Sequence, residues 1–256
     1  MSVILQTVPV NISRNPNIIE NVFTEAYCSP KEIQIYIDLF EEFHDVFAWS
    51  YEEISGIDPF IVQHEIKTYK NAKPICKKSW PINPRKVAAI KSEVKKMLKV
   101  SFIYPIPRTE WISNPVPVDK NQGMILVCID FRDLNKACLK GNYPMPFIDQ
   151  IIDECVGNEV FLFINGFCGY NQITICLEDQ HKTTFICPWG TFVYKKMPFG
   201  LKNVRATFQR TMSYDFYDIK HVIEAYMDDL AACSRKKIDR PKHLGLIFGW
   251  CHFYKI

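Results

Sequence analysis

At 256 residues, 48% of them hydrophobic, the chain has enough length and apolar content for a core of one or two domains, which excludes a disordered tail. The formal net charge of +3 hides a division: from Glu20 to Glu65 nearly every charged side chain is acidic, while from Lys67 to Lys99 every one except Glu93 is Lys or Arg. No apolar run approaches the ~20 residues that cross a bilayer, and the ten cysteines and six histidines form neither a C-x-x-C pair nor a zinc-type cluster, which speaks against a membrane span, a disulfide scaffold and a structural zinc.

Residues 1–29 carry no sustained period and no motif, so a leader of uncertain order is expected over 1–30. Ser29-Pro30 has the form of an N-cap and first helical position, followed by Ile33, Ile37, Phe40, Phe43 and Phe47 on one face. After Asn83-Pro84 a second helix is predicted. Its Val87, Ile90, Val94 and Met97 recur at steps of three and four, and Lys91, Lys95 and Lys99 occupy other faces, where they either meet phosphates or simply solvate the helix. Tyr104–Val118 holds Pro105, Pro107, Pro115 and Pro117, which remove backbone donors and fix φ, so an extended loop is expected rather than a helix or central strand.

Val127–Ile129 reads as a short buried strand, Ile148–Cys155 as a short helix ended near Gly157, and Val160–Ile164 as a strand. Thr183–Ile186 and Thr191–Tyr194 flank Pro188-Trp189-Gly190 as a hairpin, and Val204–Met212 has helical spacing. The last element is a hairpin of Val222–Tyr226, a tight turn at Met227-Asp228, and Asp229–Cys233. This order is mixed α+β, with no regular βαβ repeat.

Neighbouring residues on a strand point to opposite faces, so Asp228 and Asp229 can serve one site only where a turn twists the backbone between them. With a further carboxylate from a neighbouring strand, such a pair can hold two Mg²⁺ ions about 3.5–4 Å apart, one activating a hydroxyl and one stabilising a leaving pyrophosphate. Taken alone, an Asp-Asp dipeptide also suits a solvated turn.

Tyr226-Met227-Asp228-Asp229 resembles the Y-x-D-D motif of reverse transcriptases, and Met197-Pro198-Phe199-Gly200-Leu201-Lys202-Asn203 with Ala206-Thr207-Phe208-Gln209-Arg210 resembles a specific signature of gypsy-type long-terminal-repeat retrotransposons. Cys128–Ala137 (CIDFRDLNKA), Tyr143-Pro144-Met145-Pro146 and, more weakly, Asp45–Trp49 are similar to further family motifs in the same order, so the resemblance covers about residues 31–248. It implies the fingers and palm of a right-hand polymerase, the palm with a ferredoxin-like antiparallel sheet. It assigns residues 31–80 to a region upstream of the polymerase core and 81–256 to fingers and palm, truncated before the thumb, with the remainder of a retroelement polyprotein absent.

By the same resemblance, position 165 with Asp228 and Asp229 holds two Mg²⁺ ions. Lys120, Gly169, Tyr170, Phe199, Gly200 and Gln209 form the nucleotide site, with Tyr170 under the incoming sugar, while Lys91, Lys95, Lys99 and Arg132 contact nucleic acid. The implied partners are an RNA or DNA template-primer and deoxynucleoside triphosphates, and the implied setting is cytoplasmic or nuclear.

Several positions depart from the family pattern. The family's first catalytic Asp is Asn165, its Ser is Cys168, and its basic finger loop reads Lys120-Asn121-Gln122-Gly123-Met124-Ile125-Leu126, with Leu126 where an Arg is expected; Arg205 replaces a small residue. An Asn carbonyl can still ligate a cation but removes a full negative charge, and the loop loses its clamp on a triphosphate. The expected function is a reverse transcriptase domain with an impaired or inactive centre. The alternatives are a non-catalytic nucleic-acid binding module and a retroelement relic.

Overall fold

The computed structural model describes residues 7–13, 15, 17–25, 28–119, 125–158, 160–165, 169–226 and 229–256. Two compact units emerge, each drawn from separated stretches: Met1–Glu53, Pro146–Phe167 and Tyr214–Ile256 in the first, Ile54–Met145 and Cys168–Ser213 in the second.

The first unit is built on an antiparallel sheet of three described strands, in the order Ile223–Tyr226, Asp229–Ser234, Val160–Asn165. The central strand runs from the exposed Asp229 into Leu230, Ala231, Ala232, Cys233 and Ser234, all buried, and its small residues leave room for cover on both faces. The helix Arg240–Tyr254 returns after it, with the Ser234 hydroxyl 2.9 Å from Nδ1 of His243.

The helix Pro30–Glu42 starts where its cap signal puts it. Ser29 Oγ accepts from the Glu32 backbone N–H, and the Glu32 carboxylate accepts from the Ser29 backbone N–H at 2.8 Å, which satisfies otherwise orphaned donors. Its apolar face meets the C-terminal helix through rings: Phe248 lies 6.0 Å from Phe40, 6.0 Å from Phe43 and 5.2 Å from Phe47 between centroids. A ring buried to this extent contributes about 3–5 kcal/mol relative to Ala.

Where the sequence shows no motif, Thr7–Asn11 and Asn21–Glu25 pair as an antiparallel hairpin. Asn11 organises its loop: Nδ2 donates to the Ile18 carbonyl, and Oδ1 accepts from the backbone N–H groups of Ser13 and Glu20.

In the second unit, Asn83 accepts from the Arg85 N–H and caps the helix Pro84–Lys99, which buries Ile90, Val94 and Met97 as the spacing predicts. A sheet in the order Ile103–Pro105, Gly190–Tyr194, Phe185–Cys187 surrounds a nest of Phe131, Phe185, Phe192 and Tyr194. The expected hairpin around Trp189 is present, with Cys187 opposite Gly190.

Two expectations change. The proline-rich stretch supplies two strands, Ile103–Pro105 and Pro115–Asp119. Each lies at an edge, the second in a two-stranded ribbon with Ile125–Ile129, and an edge tolerates a missing N–H. The strand expected at Val127–Ile129 is longer and only half covered, because a two-stranded ribbon leaves one face to solvent and Leu126 is 43% exposed.

The helix Val204–Asp215 ends on a carboxylate that is fully buried, with neither oxygen hydrogen-bonded among the described residues. Burial raises the Asp215 pKa from 3.8 to about 6, and the partial negative charge of a helix C-terminus disfavours the ionised form further. A carboxylate with a raised folded-state pKa contributes fully to stability below its unfolded value, and that contribution is lost as pH rises from about 4 through about 6. The loss amounts to about 3 kcal/mol. Asp215→Leu is therefore expected to raise the thermal midpoint at pH 8 and to leave it nearly unchanged at pH 4, as read by circular dichroism melting.

Candidate active site

The site residues expected from the sequence fall in both units. In the first, Asn165 and Asp229 are Cα partners across the ladder, and on its other side Asp229 faces Tyr226. Directly opposed residues in an antiparallel pair stand about 4.5–5.5 Å apart at Cα, so an amide and a carboxylate remote in sequence occupy adjacent lattice positions at one end of the sheet. Asp228 lies outside the described residues, as do Lys120, Asn121, Met124 and Cys168.

In the second unit the short helical turn Gly169–Gln172 presents Tyr170, whose ring stacks on Phe199 at 6.4 Å and meets Phe208 edge-on at 5.5 Å. Phe199 is 61% exposed, so its ring is open to solvent. Gly169 is buried against Phe208: a Cβ there would sit 2.9 Å from its Cζ. Gln209 is buried on the helix Val204–Asp215, with Nε2 3.4 Å from Ser213 Oγ.

The loop carrying Phe199 and Gly200 is held by the motif around Asn135. Asn135 Nδ2 donates to the Gly200 carbonyl, and its Oδ1 accepts from the Lys202 backbone N–H, each at 2.7 Å. Lys202 Nζ donates to the Cys138 carbonyl. Asn203 donates to Leu139 O and accepts from Gly141 N–H. Gly200 at φ +98° and Asn203 at φ +68° make the sharp return possible, since Gly and Asn tolerate this left-handed region best. Asn135 was not among the expected site residues; the signal available was an amide within the CIDFRDLNKA motif, able to donate and accept at once.

Arg132, expected on nucleic acid, folds back on Asp130: Nε and Nη2 donate to its two carboxylate oxygens at 2.8 and 3.0 Å, although the Arg132 side chain is 77% exposed. Lys77 joins Asp130 at 2.8 Å and Asp133 at 2.9 Å. The Arg132 hydrogen bond, followed by Lys77, holds the Asp130 carboxyl well below the usual carboxylate range. Lys91, Lys95 and Lys99 are exposed on the helix Pro84–Lys99, and Arg205 is exposed on its own helix.

Buried deeper, His64 lies 2.9 Å through Nδ1 from Thr207 Oγ1, and burial pushes its pKa down to about 4, so the ring is neutral. Beside this pair opens a cavity of about 520 Å³, lined in part by Lys67, Lys140, Tyr143, Asn203 and Arg210.

The profile of the family described as reverse transcriptase (RNA-dependent DNA polymerase) matches residues 118–256. The Transposon Tf2-3 and Tf2-4 polyproteins of Schizosaccharomyces pombe are each 30% identical over 217 residues, 81% of this chain, which spans 16% of their length. The fold is similar to that of the foamy viral protease-reverse transcriptase solved with an RNA/DNA hybrid (TM-score 0.80, 19% identity, 90% of this chain and 30% of that one). It is similarly close to the same enzyme, in the form designated dRH, solved with double-stranded DNA (TM-score 0.79, 18% identity, 90% and 40%). With its α+β polymerase fold and its ordered set of motifs, the chain belongs to the reverse transcriptase family, as a domain of the kind carried in long-terminal-repeat retrotransposon polyproteins.

Proposed function

We propose that this domain engages a template-primer and a deoxynucleoside triphosphate as reverse transcriptases do, and that Asn165 impairs its polymerase centre. The observation that carries this reading is the direct opposition of Asn165 to Asp229 beside Tyr226. The position where the family pattern needs a third carboxylate stands opposite Asp229 and holds a neutral amide.

Asp228, Asp229 and the Asn165 amide oxygen would hold the divalent cations, Mg²⁺ in our reading, that supply charge neutralisation to phosphoryl transfer. Their hard oxygen donors fit in kind but fall one negative charge short. Among the described residues no group of three His, Cys, Asp or Glu side chains is placed to hold a metal. The stacked Tyr170 and Phe199 would form the floor for the incoming sugar, with Gly169 and Gly200 keeping that floor free of side chains and the Asn135 bridge keeping it rigid.

A template-primer as partner is supported by the related fold seen with an RNA/DNA hybrid. The exposed lysines of the helix Pro84–Lys99 would contribute to it through phosphate contacts. We place the domain in the cytoplasm or nucleus. The free cysteines among the described residues, with no C-x-x-C pair in the sequence, support this.

Primer extension tests the main reading. The unmodified protein is expected to give little incorporation in Mg²⁺, and Asn165→Asp to strengthen Mg²⁺-dependent thermal stabilisation while recovering only part of the synthesis, because Leu126 still lacks an Arg's charge. Robust incorporation by the unmodified chain would overturn the impairment. Gly169→Ala should lower stability by about 1–3 kcal/mol through its contact with Phe208, measurable by urea titration. Thiol titration of the unreduced, unfolded protein should count all ten cysteines.

A further inference from the structure

On the helix Pro84–Lys99, Lys91, Lys95 and Lys99 recur every four residues, so they form one exposed line about 12 Å long at 1.5 Å per residue. Glu93 lies about 200° around the helix from Lys91 at ~100° per residue and pairs with Lys96 at 3.9 Å, away from this line. At the head of the line, Lys91 Nζ stands 5.7 Å from the ring centroid of Trp189. Trp189 sits in the turn between Phe185–Cys187 and Gly190–Tyr194 and remains 38% exposed. The ammonium over the ring orients the indole and leaves part of its surface to solvent.

We propose that Trp189 and this line of lysines form a platform for single-stranded nucleic acid, one unpaired base stacking on the indole while the following phosphates run along Lys95 and Lys99. The proposal rests on the template-primer reading above and deepens it by naming an unpaired strand as the occupant. An exposed ring accepts the face of any base, but in a duplex those faces are already stacked on neighbours, so the ring discriminates strand state where the lysines alone do not. An unbroken line of one sign of charge suits a polyanion, and the aromatic end selects one whose repeating units are flat.

The test uses the 256-residue protein with a fluorescein-labelled oligouridylate, a blunt RNA–DNA hybrid of the same length, and polyglutamate as a non-nucleic polyanion. Trp189→Leu is expected to weaken oligouridylate binding roughly 5- to 150-fold and to leave hybrid binding unchanged, while Trp189→Phe retains most of the affinity. Lys95→Gln, on an exposed helical position, should lower the slope of log K against log salt by about 0.7 for the single strand. The platform is overturned if Trp189→Leu leaves oligouridylate binding intact, weakens strand and hybrid equally, or weakens polyglutamate as much. Absence of binding to both nucleic acids by the unmodified protein would overturn the template-primer reading as well, whereas intact hybrid binding with a Trp189-insensitive single strand overturns the platform alone.

Discussion

The antiparallel ladder between Val160–Asn165 and Asp229–Ser234 is the constraint on which the candidate centre depends. Six consecutive residue pairs fix its register, from Asp229 opposite Asn165 to Ser234 opposite Val160. A slip by one residue would shift the buried run Leu230–Ser234 out of its cover, so burial of that run holds the pairing that leaves Asp229 at the exposed end. The chemistry of the centre is thus positioned by apolar burial several residues away from it. The ring nest around Phe248 and the Ser234–His243 contact cover the same sheet and secure it further.

The second unit uses a different device, polar side chains that replace missing backbone pairing. Asn135, on the short helix Arg132–Ala137, grips the loop of Gly200 and Lys202, and Lys202 and Asn203 extend the link to Cys138, Leu139 and Gly141. The half-buried Asn135 amide, satisfied at both ends, is worth more than its individual bonds, because removing it leaves two backbone groups without that partner. The charge cluster on Asp130 follows the same logic: a carboxylate almost fully buried stays ionised only because Arg132 and Lys77 compensate it. Asp215 lacks any such compensation.

These two devices differ in how they tolerate sequence change. A ladder's backbone hydrogen bonds are the same whether Asn or Asp stands at its end, so the register fixes the place of residue 165 opposite Asp229 but not its charge. The left-handed turn at Gly200 and Asn203 and the close approach of Gly169 to Phe208 have no such tolerance, because a side chain there meets backbone strain or the Phe208 ring. The fold therefore constrains the turn and the close approach more tightly than it constrains the charge at position 165.

Local signals were sufficient where the physics is local. Ser29-Pro30 and Asn83-Pro84 announced the helices Pro30–Glu42 and Pro84–Lys99, since a cap acts within one turn; the turn at Trp189 announced its hairpin; the ordered motifs announced the family. Thr7–Asn11 was illegible because its stretch carries no period or motif, and Ile103–Pro105 and Pro115–Asp119 because Pro105, Pro115 and Pro117 argue against strands until it is known that each lies at an edge. The Asn135 bridge, the retraction of Arg132 onto Asp130 and the bond between His64 and Thr207 were also decided only by the tertiary structure. Each joins groups whose own sequence neighbourhood permits many partners, and a hydrogen bond's partner is chosen by where burial leaves a donor and an acceptor with no water to turn to.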